Sequence, residues 1–157
     1  MGTEVLVDTN IWLLTALRRL PLRDEVSRLV PDGALRVPRV VIRELERLVV
    51  RGTAGAPVAL QIVRQYPVVP TPGAGDAAII RRAIGKGAWV VTADKQLALR
   101  LREHGCGVLM PRGMHGLARF LPRSFRPTPS SRRLRGNRYE RRSGRRPIRR
   151  AAADVRR

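Results

Sequence analysis

Four acidic residues stand where a soluble domain has least use for a charge. Asp8 directly follows the apolar run Val5-Leu6-Val7, and a carboxylate there is desolvated at a cost unless water, hydrogen-bond donors or a cation meets it. Asp76 has Ile79, Ile80 and Ala83 at i+3, i+4 and i+7, which puts it on the same helical stripe as apolar residues. Asp94 repeats the pattern with Leu97, Ala98 and Leu101, two residues after Thr92 closes an apolar stretch. Glu44 falls in a helical pattern at roughly 70° from the centre of the set Val37, Val41, Leu45, Leu48 and Val49, whereas Glu46 falls roughly 130° away and faces water. Each acid has a plainer reading: Asp8, Asp76 and Asp94 as helix caps, Glu44 and Glu46 as halves of surface pairs with nearby arginines. Taken together they suggest one cluster. Two like charges about 5 Å apart repel by roughly 3 kcal/mol at an effective dielectric near 20, so a shared site calls for an offsetting cation. Oxygen-only ligands select hard ions, one or two Mg²⁺ or Mn²⁺, rather than Zn²⁺. Such ions polarise a phosphodiester and activate water. His104 and His115 are placed on the surface, away from these turns.

The elements that must position these acids follow from periodicity and punctuation. Glu4–Val7 is a predicted strand, turned through Asp8-Thr9-Asn10 into a helix over Ile11–Leu20. A strand at Leu35–Val37 leads past Pro38 into a helix reaching Val50, stopped by Gly52, and another helix spans Pro57–Gln65. After the brief Val68-Val69 stretch, a helix over Asp76–Ile84 stops at Gly85, followed by a strand at Ala88–Thr92, a helix over Asp94–Glu103 and a last strand at Gly107–Met110. Strands alternating with helices through short Gly, Pro and Asp turns imply βαβ crossovers: an α/β fold whose parallel sheet is covered by helices on both faces. In such sheets ligands bind beyond the carboxyl ends of the strands, where the Asp-bearing turns fall.

The chain has 157 residues and a formal net charge of +20. The stretch 121–157 holds 14 of its 32 basic residues and only 2 of its 12 acidic ones. That field suits a polyanion, so nucleic acid is the expected partner. The expected organisation is a catalytic domain over 1–121 and a disordered basic tail over 122–157, where arginines recur among Pro, Ser and Gly without an apolar face. Arg132, Arg133, Arg141, Arg142, Arg145, Arg146, Arg149 and Arg150 are its candidate phosphate contacts. With one cysteine, Cys106, there is no disulfide framework and no Cys/His zinc cluster. Neither a signal peptide nor an apolar run of membrane-spanning length is apparent, so a reducing, cytoplasmic location and no membrane partner are expected.

The segments Val5-Leu6-Val7-Asp8-Thr9-Asn10, Val41-Ile42-Arg43-Glu44-Leu45-Glu46-Arg47-Leu48, Gly75-Asp76-Ala77-Ala78-Ile79 and Val91-Thr92-Ala93-Asp94 resemble, in order and spacing, the PIN-domain ribonucleases. The resemblance covers about residues 4–120. It implies a three-layer sandwich with a central parallel sheet, and Asp8, Glu44, Asp76 and Asp94 as metal ligands. Asn10 and Thr92 would orient Asp8 and Asp94. The implied activity is metal-dependent endonucleolytic hydrolysis of RNA, and the implied assembly a homodimer, although no heptad or apolar stripe in the sequence shows one. The segments around Glu44, Leu99–Gly105 and Val108–Gly113 are most similar to the archaeal branch related to small-subunit rRNA processing nucleases, which makes an rRNA precursor the implied substrate. That branch often has two consecutive acids where this chain has Asp76-Ala77. A toxin nuclease of a toxin–antitoxin pair is the nearer alternative. A noncatalytic RNA-binding or ribosome-assembly module with a degenerate site is another. An aspartyl-phosphate enzyme would want a second Asp at position 10, which is Asn10.

Overall fold

The computed structural model describes residues 2–121. In chain order the elements are β1 (Thr3–Val7), α1 (Thr9–Ala16), α2 (Leu22–Leu29), β2 (Gly33–Pro38), α3 (Arg39–Val50), α4 (Ala56–Val63), β3 (Val68–Val69), α5 (Gly75–Lys86), β4 (Trp89–Val91), α6 (Lys95–Glu103), β5 (Val108–Arg112) and β6 (Gly116–Arg119). They build one six-stranded sheet in the order β3-β2-β1-β4-β5-β6. The first five strands in this order are parallel, and β6 runs antiparallel to β5. The expected parallel sheet is present, with β6 added to it as one antiparallel edge strand.

Chain order reverses between β1 and β4. From β1 the chain moves outward through β2 to β3, then crosses back to β4 on the other side of β1. Right-handed crossovers put the helices of the two halves on opposite faces of the sheet, which gives the α/β three-layer sandwich. α1 packs on α3 and α4, and α5 packs on α6 and β1. Val5, Leu6, Val7, Val37, Val90, Val91 and Leu109 form the buried middle of the sheet. Trp12 of α1 is fully buried; its Nε1–H donates to Val7 O at 3.2 Å, and its ring lies 5.2 Å from that of Tyr66. The apolar side and the polar tip of the indole are both used, and they fix α1 against the end of β1 that carries the first acid.

Several boundaries differ from those the sequence suggests. The first helix stops at Ala16, and an unforeseen helix, α2, follows; it carries Leu22 and Val26 inward. Leu117 N–H donates to Glu25 Oε2 at 2.8 Å, and Arg28 donates to Leu117 O at 2.9 Å, so α2 holds β6, the other unforeseen element. α5 passes through Gly85 to Lys86; Gly87, at φ 60, closes it in the left-handed conformation that glycine adopts without a Cβ clash. Stretch 122–157, with the arginine-rich tail expected there, lies outside the described residues. Among the described residues no helix is long and apolar enough to cross a membrane.

Candidate active site

The order reversal puts the carboxyl ends of β1 and β4 side by side, and the backbone N–H of Asp8 donates to Val91 O at 3.0 Å. Asp8 is thereby fixed at the mouth of the sheet and buried, with 8% exposure. Its Oδ1 accepts from the Thr9 N–H at 2.8 Å and its Oδ2 from the Thr92 hydroxyl at 2.7 Å. Burial pushes its carboxyl above the ordinary value of 3.8; the Thr92 and Thr9 bonds pull it back, and the charges of Glu44 and Asp76 push it up again. These are the marks of an acid held ionisable against its surroundings.

Thr92 is fully buried and uses its hydroxyl twice: it donates to Asp8 and accepts from the Asp94 N–H at 3.1 Å. Asp8 and the start of α6 thus share one hydroxyl. Asn10 bonds to backbone rather than to a carboxylate: its Oδ1 accepts from the Ala93 N–H at 3.1 Å and ties α1 to the same turn.

Glu44 reaches this centre from α3. Pro38 precedes that helix, Val40 N–H in its first turn donates to the buried Thr71 hydroxyl at 3.0 Å, and Val41 and Leu45 face inward. Glu44, one residue before Leu45, is exposed on the shoulder of this face, and its Oε2 accepts from the Thr9 hydroxyl at 2.6 Å. Neither Glu44 nor Glu46 pairs with an arginine among the described residues, unlike the surface pairing considered for them. Asp76, the second residue of α5, is half-buried, with its Oδ2 at 3.9 Å from Arg100 Nη1 of α6. Asp94 is the N-cap of α6: its Oδ1 accepts from the N–H groups of Gln96, at 2.7 Å, and Leu97, at 3.1 Å.

The structure therefore brings Asp8, Glu44 and Asp76 within electrostatic reach of one another, while Asp94 joins through Thr92 and is not among the charges that shift Asp8. As the side chains stand, no three Asp, Glu, His or Cys residues among the described ones are arranged to enclose an ion. The donor chemistry nonetheless fits a hard cation. The set is oxygen only, Asp8 is desolvated beside two like charges, and a bound cation would relieve both costs. Two contributors escaped the sequence: Thr9, which clamps Glu44, and Arg100, which meets Asp76. His104 and His115 are exposed and bond to the backbone oxygens of Arg100 and Arg19. Cys106 is buried, and burial pushes its thiol up, which leaves it a poor nucleophile.

Comparison with known proteins agrees with this fold. Residues 5–114 match a family described as PIN like domain. Ribonuclease VapC9 of Archaeoglobus fulgidus is 32% identical over 108 residues, 65% of this chain and 78% of that one. Among solved structures, the PIN domain endonuclease Utp24 superimposes with a TM-score of 0.61 at 22% identity, over 74% of this chain and 90% of that one. VapBC2 from Rickettsia felis, bound to a DNA fragment from their promoter, gives 0.55 at 15% identity, over 70% and 100%. With the family match spanning most of the described residues, the chain belongs to the PIN-like domain family, as its four acidic segments implied.

Proposed function

We propose that this chain is a Mg²⁺- or Mn²⁺-dependent endoribonuclease whose centre is Asp8, Glu44, Asp76 and Asp94. The observation that carries the reading is Asp8: a buried carboxylate at the switch point of the sheet, raised by burial and by two neighbouring acids. Asp8 also caps α1 through the Thr9 N–H, but a cap needs neither burial nor two further acids beside it, and a cation or a proton held there offsets their repulsion. When bound, the ion would polarise the scissile phosphodiester and lower the pKa of water, so that the water gives up a proton and becomes a nucleophile at neutral pH. The chain's own part is positioning. Thr92 holds one oxygen of Asp8, leaving lone pairs on both; Thr9 fixes one oxygen of Glu44 and leaves the other open. Asp76 would turn from Arg100, and Asp94 would contribute the oxygen that does not cap α6.

The substrate follows from charge and kinship. A net charge of +20 favours a polyanion, and the relative at 32% identity is named a ribonuclease. The similarity of the Glu44, Leu99–Gly105 and Val108–Gly113 segments to rRNA processing nucleases favours an rRNA precursor. The likeness to VapC9 and to VapBC2 favours the second reading, a nuclease of a toxin–antitoxin pair. Crosslinking to RNA in the native cell separates them: a small-subunit rRNA precursor supports processing, a single tRNA the toxin reading. For the activity itself, the expected result is that a circular single-stranded RNA is opened in Mn²⁺, that chelation stops the reaction, and that Asp8→Asn lowers it by orders of magnitude. A circle that survives while its linear form is degraded from one end would contradict endonucleolytic cleavage; RNA bound but never cut would favour a binding module.

A further inference from the structure

Most of the arginines whose side chains contact protein in the described residues serve the fold. Arg28 grips Glu25 and β6, Arg82 makes two hydrogen bonds to Glu4, and Arg119 bonds to Leu29 O and lies over Trp89. The arginines of α3 do none of this. Arg39, Arg43, Arg47 and Arg51 are exposed and form neither an ion pair nor a side-chain hydrogen bond among the described residues. They recur every fourth residue along α3 and its C-cap, so one guanidinium appears about every 6 Å along the axis. Like charges at this spacing repel one another, and Glu46, which lies among them, is paired with none. Arg43, Arg47 and Arg51, with Glu46 and Val50, line an open depression of about 450 Å³.

The stripe has a fixed relation to the acidic centre. At about 100° per residue, Arg47 and Arg51 fall about 60° and about 20° from Glu44 around the helix, on the side away from Val41 and Leu45. Glu44 is thus the boundary between the buried face of α3 and its cationic face. A cluster of carboxylates repels the phosphates it is to cleave, so substrate must be held by cations beside the cluster rather than within it. Guanidinium groups suit that task because each offers a rigid fork of donors to phosphate oxygens.

We propose that the arginine stripe of α3 is the track on which the phosphates of a single RNA strand lie as the strand passes Glu44 into the acidic centre. The proposal rests on the ribonuclease reading for its direction, but binding tests it separately from cleavage. In full-length protein carrying Asp8→Asn, affinity for a short oligouridylate is measured against salt, with and without the pair Arg43→Gln and Arg47→Gln. Loss of two phosphate contacts flattens the slope of log affinity against log salt by about 1.4. Between about 50 and 200 mM salt this corresponds to about a sevenfold smaller loss of affinity. Arg43→Lys with Arg47→Lys should keep most of the slope. The control pair Arg23→Gln and Lys86→Gln removes equal charge near the opposite end of the sheet, where Arg23 lines a depression with Gly33 and Lys86 ends α5. It should flatten the slope by less than half as much. An unchanged slope in the α3 pair, or an equal loss in both pairs, overturns the track. Cleavage by the unmodified chain is scored apart: a flattened slope with no cleavage leaves the track standing and removes the nuclease reading.

Discussion

Asp8 carries a cost that the rest of the domain supports. Its carboxyl is raised above 3.8, chiefly by burial, so between that value and its folded value the native state holds more protons than the unfolded one. Stability therefore falls as pH rises through that window and stays lowered at neutral pH. Asp8→Asn removes this penalty, so in metal-free buffer the variant should gain stability over the parent as pH rises from about 4 towards neutrality. Urea unfolding at several pH values measures the difference; a constant gap across the range would show that Asp8 does not titrate as described. Asp8 was legible in the sequence because an acid closing an apolar strand is a local anomaly. Thr9 and Arg100 were not. A hydroxyl one residue into a helix and an arginine on an amphipathic one are ordinary, and their partners Glu44 and Asp76 come from distant positions. Asp94 was legible as both cap and acid, and its side chain makes the cap bonds.

Among the elements, those with strong periodicity or clear punctuation were readable: β1, α3, β4 and α6 lie within a residue or two of expectation. α2 and β6 were missed for different reasons. α2 has eight residues with only Leu22 and Val26 buried, and no side chain caps its start, so its sequence lacks a long stripe and a start signal. β6 is four residues long and is ordered by pairing with β5 and by Glu25 and Arg28, contacts that no local pattern encodes. Two glycines near β4 and β5 separate packing from punctuation. A Cβ on Gly107 would run into the ring of Trp89, whereas Gly85 lies inside α5 with open space around it. Gly107→Ala should therefore destabilise by about 1–3 kcal/mol, and Gly85→Ala should stabilise by about 0.4–1 kcal/mol. Thermal unfolding of both decides the matter; a destabilised Gly85→Ala would restore Gly85 as the helix terminator.

For the whole molecule, sheet order and charge determine what the chain can do. The reversal between β1 and β4 could be inferred only as a class, since βαβ patterning implies a parallel sheet without saying which strands adjoin. That adjacency lets Asp8 and Thr92, far apart in sequence, share a hydrogen bond. The basic stretch beyond Leu121 should act at this scale too, adding affinity rather than choice of cleavage site. If about five of its arginines engage phosphates, a chain ending at Leu121 should lose about 3.5 from the salt slope, or about a hundredfold in affinity between about 50 and 200 mM salt. Equal slopes in the two proteins would show that stretch to be idle. The central claim, that Asp8, Glu44, Asp76 and Asp94 form one shared cation site, is tested most directly by Mn²⁺-dependent thermal stabilisation of the unmodified protein beside Asp8→Asn, Asp76→Asn and Asp94→Asn. The account predicts a rise in melting temperature that saturates with Mn²⁺ and shrinks in all three variants, because the ion binds the folded site alone. A shift of undiminished size in every variant would contradict it.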